Sequence, residues 1–146
     1  MAWLHIVTTL CIGLMIGVEF AVSAFINPIL WQLDRPAQVI RFFAARLGAA
    51  MPFWYVLGLL LLIAETILHR HQPGLLLLAI ASGIWAAIIL ATILFLVPIN
   101  NRLARPTSSA SPEQILQAHH QWDTLHRLRI IALTAAMLFF LIAVFP

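Results

Sequence analysis

The chain contains no lysine, a single cysteine and few charges of either sign. Charged residues make up 9% of it against 63% hydrophobic ones, too few polar side chains to cover a soluble globule of 146 residues. That shortage leaves an integral membrane protein, with the lipid bilayer as its first partner. All eight basic residues are arginines, and no basic run interleaves with aromatics. They read as interfacial anchors and topology signals, and nucleic acid is excluded as a partner. Cys11 has no second thiol to pair with and cannot complete a thiol-rich metal site, so it reads as a small packing residue. Val22-Ser23-Ala24 resembles a signal cleavage site, but no basic residue precedes the apolar stretch and Glu19 interrupts it, so the stretch reads as a span.

What is present is four apolar runs, near residues 3–28, 50–69, 74–98 and 125–145. Each is about 20 residues or longer, the length that crosses roughly 30 Å of hydrocarbon. The expected fold is all-α: a membrane four-helix bundle forming a single transmembrane domain over residues 1–146. A short interfacial helix is expected after the first span, and a cytoplasmic extension at the start of the last helix. Arg35, Arg41, Arg46, Arg102, Arg105, Arg127 and Arg129 fall at one side, and only Arg70 at the other. The positive-inside rule then puts the two longer loops in the cytoplasm and both termini on the far side of an inner (plasma) membrane.

The loops carry their own signals. Asn27-Pro28 is expected to bend or end the first helix. Asp34 can cap a short helix with Pro36 in its first turn, in which Val39, Ile40, Phe43 and Leu47 make one apolar stripe suited to the interface. That helix is either a plain connector or a lid over a lateral opening. Residues 105–112 read as a flexible polar linker. Ser111, Pro112 and Glu113 then open a helix that, continuous to Val144, would be about 48 Å long. Gly13 and Gly17 form a GxxxG that allows close packing within one copy or between copies, so a homo-oligomer stays open.

Polar residues inside the spans fall on faces. Glu19 sits mid-span, where an ionisable group costs several kcal/mol unless the protein receives it. His5, Thr8, Ile12, Met15, Glu19 and Ser23 recur at steps of three or four, with Asn27 slightly off the stripe. Depth places Glu19, Ser23 and Asn27 level with Asn100, His126 and Arg129, in the cytoplasmic half. Glu65 and His69 lie near the opposite face, where His5 is the expected neighbour, and they read as an interfacial pair. On the last helix His119, Asp123 and His126 share a face with Trp122 and Arg129 beside it. Two imidazoles and a carboxylate so spaced suit a transition metal, and they also suit a solvated helix surface.

Three segments together carry a resemblance. Gly13-Leu14-Met15-Ile16-Gly17 with Asn27-Pro28, then Val97-Pro98-Ile99-Asn100-Asn101-Arg102-Leu103-Ala104, then Trp122, His126 and Arg129 opening the last span, resemble the small four-helix membrane family that includes the anthrone oxygenases of polyketide pathways. The resemblance implies a site at Asn100, Trp122, His126 and Arg129. It also implies a reaction in which a base takes a proton from an activated carbon and the anion reduces dioxygen directly, within an apolar pocket. His126 or Glu19 would be the base, Arg129 the anion holder and Asn100 a positioning group. Trp122, Met15 and Phe20 would be walls, with Ser23 and Asn27 beside the substrate. The cofactor is none on this reading, and a transition metal on His119, Asp123 and His126 otherwise. The expected function is therefore an oxidoreductase acting on a lipophilic aromatic or quinone-like molecule. The alternative is a non-enzymatic membrane protein that binds a lipid, metal or cofactor or serves as an assembly subunit; a transporter is disfavoured for so few helices.

Overall fold

The computed structural model describes residues 2–33, 36–105 and 110–145, and in it four helices are long and apolar enough to cross a membrane. They are α1 (Ala2–Leu30), α2 (Pro36–Leu68), α3 (Leu75–Ala104) and α4 (Pro112–Val144). No strand occurs among the described residues. The chain therefore folds as an all-α four-helix membrane bundle. Its burial pattern is the reverse of a soluble protein's. Glu19, Asn27, Glu65, His119, Asp123 and His126 are buried, while Trp3, Phe42, Phe53, Leu76 and Ile131 are exposed on the outside. In lipid that arrangement is favourable, because apolar side chains meet acyl chains and polar groups find partners only inside.

The four helices alternate in direction, so Ala2, Leu68, Leu75 and Val144 lie toward one end of the bundle, called here the terminal end, and Leu30, Pro36, Ala104 and Pro112 toward the other, called here the loop end. The N-terminal part of α3 packs mainly on α4, its C-terminal part on α2, and α1 lies against α4 and α2. Two apolar clusters fill the interior. One, near the terminal end, joins Ile12, Met15, Leu62, Trp85, Leu133 and Phe140. The other, near the loop end, joins Val22, Ile40, Ala44, Leu96, Leu103 and Trp122. Glu19 lies in α1 between Met15 of the first and Val22 of the second.

Two local readings change. Pro28 neither ends nor breaks α1: a π turn at Val22–Ile26 precedes Asn27-Pro28, and the helix runs on to Leu30. The same device recurs in α3, where a π turn at Thr92–Leu96 precedes Val97-Pro98. A turn one residue longer relocates the carbonyl that the proline ring would strike and the missing N–H would have served. The expected interfacial helix is likewise not a separate element. The stripe of Val39, Ile40, Phe43 and Leu47 is the start of α2, which continues through Pro52 to Leu68. Ile40 is buried there and Phe43 is half-buried, so the stripe faces the bundle and not the membrane surface. Asp34, the expected cap, lies outside the described residues. Ser111 does cap α4: its hydroxyl accepts from the Gln114 N–H while the Gln114 side chain accepts from the Ser111 N–H, a reciprocal capping box.

Gly13 lies 3.5 Å, counted from the Cβ it lacks, from the Met137 Cε on α4, and nothing stands within 4 Å of the same point on Gly17. Only the first glycine of the GxxxG thus serves contact inside one copy.

Candidate functional site

Glu19 is received by three groups on two other helices. The Tyr55 hydroxyl on α2 donates to its Oε1 at 2.7 Å, and Arg129 Nη2 on α4 donates to Oε2 at 2.6 Å. His126 Nδ1 lies 2.9 Å from the same Oε2. The carboxylate and guanidinium neutralise one another where water is excluded. A buried pair is tolerable when further hydrogen bonds complete it, as Tyr55 and His126 do here.

The His126 ring has a defined tautomer. Its Nε2 lies 3.0 Å from the Glu19 backbone carbonyl oxygen, which only accepts, so Nε2 carries a hydrogen. When the ring is neutral the lone pair is then on Nδ1, where Arg129 Nη2 donates to it at 2.8 Å. When Nδ1 gains a proton, Glu19 Oε2 is already placed to accept it. Nδ1 thus faces a donor, Arg129 Nη2, and an acceptor, Glu19 Oε2.

Beside this cluster lies a cavity of about 180 Å³ between α2, α3 and α4. Most of its wall is apolar, with Leu47, Met51, Pro52, Ile89 and Leu96, while Tyr55, Thr92, Asn100, Trp122 and Arg129 bring the polar edges. Thr92 Oγ1 and Arg129 Nε are buried and have no hydrogen-bond partner among the described residues. Both residues line this cavity. A smaller niche of about 20 Å³ touches Glu19, His126, Arg129 and Trp122, enough for one water molecule. Asn100 is held where Gly48 leaves room: its Nδ2 donates to the Ala44 carbonyl at 2.9 Å, and a Cβ on Gly48 would stand 2.6 Å from that nitrogen.

Residues grouped by sequence do not all meet. Asn100 shares the cavity with Arg129 and Tyr55, but its observed bond is to Ala44 and not to Glu19. Ser23 is buried in the π turn and lines none of these cavities. Asn27 Nδ2 donates to Asp123 Oδ1 at 2.5 Å, and Arg127 Nη2 holds Asp123 Oδ2 at 2.8 Å. Met15 is sealed in the apolar core, one turn away from the cavity, because a step of four along α1 moves it about 6 Å toward the terminal end. Phe20 is 52% exposed on the outer face against Phe25 and cannot be a wall: one residue after the inward Glu19, it is turned about 100° away.

The His119, Asp123 and His126 face does not converge into a ligand set. The Trp122 indole stacks on both imidazoles, its centroid 5.8 Å from His119 and 4.5 Å from His126, and so separates them. Asp123 is turned to Asn27 and Arg127. Among the described residues the three-ligand grouping occurs elsewhere, at His5, Glu65 and His69. Tyr55 was missed by spacing arguments. Its signal was its singularity: it is the one tyrosine in the chain, in an apolar span where a phenol hydroxyl needs a partner.

No curated protein and no solved structure matches the chain. A family model described as anthrone oxygenase matches residues 39–139, a stretch that carries Tyr55, Asn100, Trp122, His126 and Arg129 and leaves out Glu19. More than half of the chain is covered, and it belongs to the anthrone oxygenase family.

Proposed function

We propose that this protein oxidises a lipophilic aromatic substrate of the anthrone type with dioxygen, in the cavity beside Arg129. The observation that carries the reading is the contact between an apolar cavity open to a flat molecule and a proton-holding cluster that shares Arg129, Trp122 and Tyr55 with it. Membership in the family supports the reaction class. The substrate methylene gives up a proton, and the charge left behind moves onto the ring oxygen, where the Arg129 guanidinium and its unpartnered Nε stabilise it. The Tyr55 hydroxyl lines the cavity and donates to Glu19, so it is the route by which the proton reaches the Glu19 and His126 pair. The electron-rich carbon then reduces dioxygen and forms a carbon–oxygen bond as a hydroperoxide. Loss of water leaves a carbonyl: one dioxygen is consumed, and one quinone carbonyl and one water are formed.

Oxygen uptake by the purified full-length protein with an anthrone tests this directly. His126→Ala and Glu19→Gln are expected to lower the turnover rate by about 10²–10⁴-fold, and Arg129→Met by about 10²–10³-fold. Full activity in His126→Ala and Glu19→Gln would remove the assigned proton acceptor. Iron, copper or haem found by metal analysis and absorption spectrum, and lost together with activity, would replace the direct route. If no anthrone or quinol is oxidised, the oxygenase reading falls, and the cavity is a binding site for a lipophilic molecule.

The arginine bias supports an orientation as well. Arg41, Arg46, Arg102, Arg105 and Arg127 lie toward the loop end and Arg70 toward the terminal end, so we place the loop end in the cytoplasm. Alkaline phosphatase fused after the C-terminus is then expected to be active and a fluorescent protein dark; the opposite pair of readouts would reverse the orientation.

A further inference from the structure

At the terminal end, away from the Glu19 cluster, a second set of titratable groups is buried between α1 and α2. We propose that His5, Glu65 and His69 form a binding site for one divalent transition metal ion of the zinc class. Glu65 is fully buried, and its carboxylate faces His5 Nδ1 at 2.9 and 3.0 Å and accepts from Thr8 Oγ1 at 3.1 Å. His69 is 7% exposed, its Nδ1 lying 3.6 Å from Glu65 Oε2. One ligand atom from each residue lies within 4.8 Å of the others. Ligands of a tetrahedral ion at 2.0–2.1 Å stand about 3.3 Å apart, so the set closes by a side-chain adjustment that brings His69 Nε2 toward the Glu65 carboxylate.

Two features favour a metal over a simple ion pair. The first is the tautomer of His69. Its Nδ1 is 2.9 Å from the Glu65 backbone carbonyl, which only accepts, so the hydrogen is on Nδ1 and the lone pair is on Nε2. A ring nitrogen anchored to a backbone carbonyl, with the other left basic, is the arrangement in which histidines hold metals. The second is access. His69 also lines a cavity of about 380 Å³ with Gln72, Pro73, Gly74, Leu77 and Ala143, which gives an ion a way in and leaves space for a water as the fourth ligand. Two imidazoles and one carboxylate with an open position match the donor set and number that zinc accepts. Among the described residues no arginine is paired with Glu65; its partners are His5, His69 and Thr8.

Such an ion would tie the start of α1 to the end of α2, sixty residues apart in sequence. It is distinct from the cavity beside Arg129 and does not depend on the proposed oxidation. The test uses full-length protein purified in detergent and stripped with a chelator, with zinc and cobalt as probes. Expected are one equivalent of zinc by calorimetry, a rise in the melting temperature with zinc, and intense visible bands with cobalt, the signature of a tetrahedral site. Glu65→Gln, His69→Ala and His5→Ala are each expected to weaken zinc binding at least tenfold, while His119→Ala leaves it unchanged. Absence of stoichiometric binding to the wild-type chain would overturn the proposal, whatever the variants do. So would binding that persists in His5→Ala/Glu65→Gln, or that is lost in His119→Ala alone.

Discussion

Replacing Glu19 with alanine is expected to destabilise the bundle by about 3–5 kcal/mol, the cost of leaving a buried charge without its partner. Three donors lose their acceptor at once: the Tyr55 hydroxyl, Arg129 Nη2 and, when protonated, His126 Nδ1. The damage lies less in the contacts removed than in what remains, since the Arg129 side chain is only 9% exposed and has no other salt-bridge partner among the described residues. Removing both charges should therefore be milder than removing one. Glu19→Leu/Arg129→Met is expected to recover most of the lost stability, because apolar side chains of similar volume replace a buried pair at little cost. Equilibrium unfolding in mixed detergent micelles measures both. A double variant as unstable as the sum of its single changes would show that the two groups do not act on each other. On the proposed reaction, oxygen uptake should stay strongly lowered in the double variant, which would separate the folding role of the pair from its proposed chemical one.

Trp85→Ala is the second large change, expected to cost about 3–5 kcal/mol through the cavity it leaves. Trp85 is completely buried, its indole Nε1 donates to the Tyr55 carbonyl at 3.0 Å, and its ring lies 6.2 Å from that of Tyr55. It thus fixes the stretch of α2 that carries the Tyr55 hydroxyl to Glu19. Room for it is made by Gly58, where an added Cβ would stand 2.6 Å from the Trp85 Cζ2. Gly58→Ala alone is then expected to cost about 1–3 kcal/mol by overpacking. In the Trp85→Ala background the same change should be neutral or favourable, since the methyl enters vacated space and alanine is the better helix residue. Single and double variants in one unfolding series give this coupling directly. Additive costs would mean that Gly58 and Trp85 do not share the space the structure assigns to them.

Much of the fold is legible in composition alone. A backbone in lipid is satisfied by helices or by a closed barrel, and four continuous apolar runs of sufficient length select four helices. Helix boundaries near proline were less legible. Pro28, Pro52 and Pro98 all lie inside helices here, two of them behind π turns, because lipid penalises an open backbone more than it penalises an irregular turn. The amphipathic start of α2 was ambiguous for a related reason: an apolar stripe looks the same whether it faces a membrane surface or a neighbouring helix.

Within the site, depth along the helices was readable and lateral direction was not. Counting residues from the span ends separated Glu19 from Glu65 and put Glu19 level with His126 and Arg129, and those side chains meet. The same counting put Ser23 near the site, and the chemistry implied by the resemblance added Met15 and Phe20 as walls; neither argument can tell which helix a face will meet. The HxxxDxxH spacing on α4 was misleading on that account, because Trp122 occupies the space between its imidazoles. By itself the sequence determined a four-helix membrane bundle and the need for Glu19 to be received inside it, through composition and the cost of charge in lipid; Glu65, read as part of an interfacial pair, is instead fully buried. Only tertiary structure decided that Tyr55 completes the first site, that Asp123 turns to Asn27 and Arg127, and that His5, Glu65 and His69 converge. Those outcomes depend on the rotation of each helix about its own axis, which packing against three neighbours sets and no periodicity within one helix specifies.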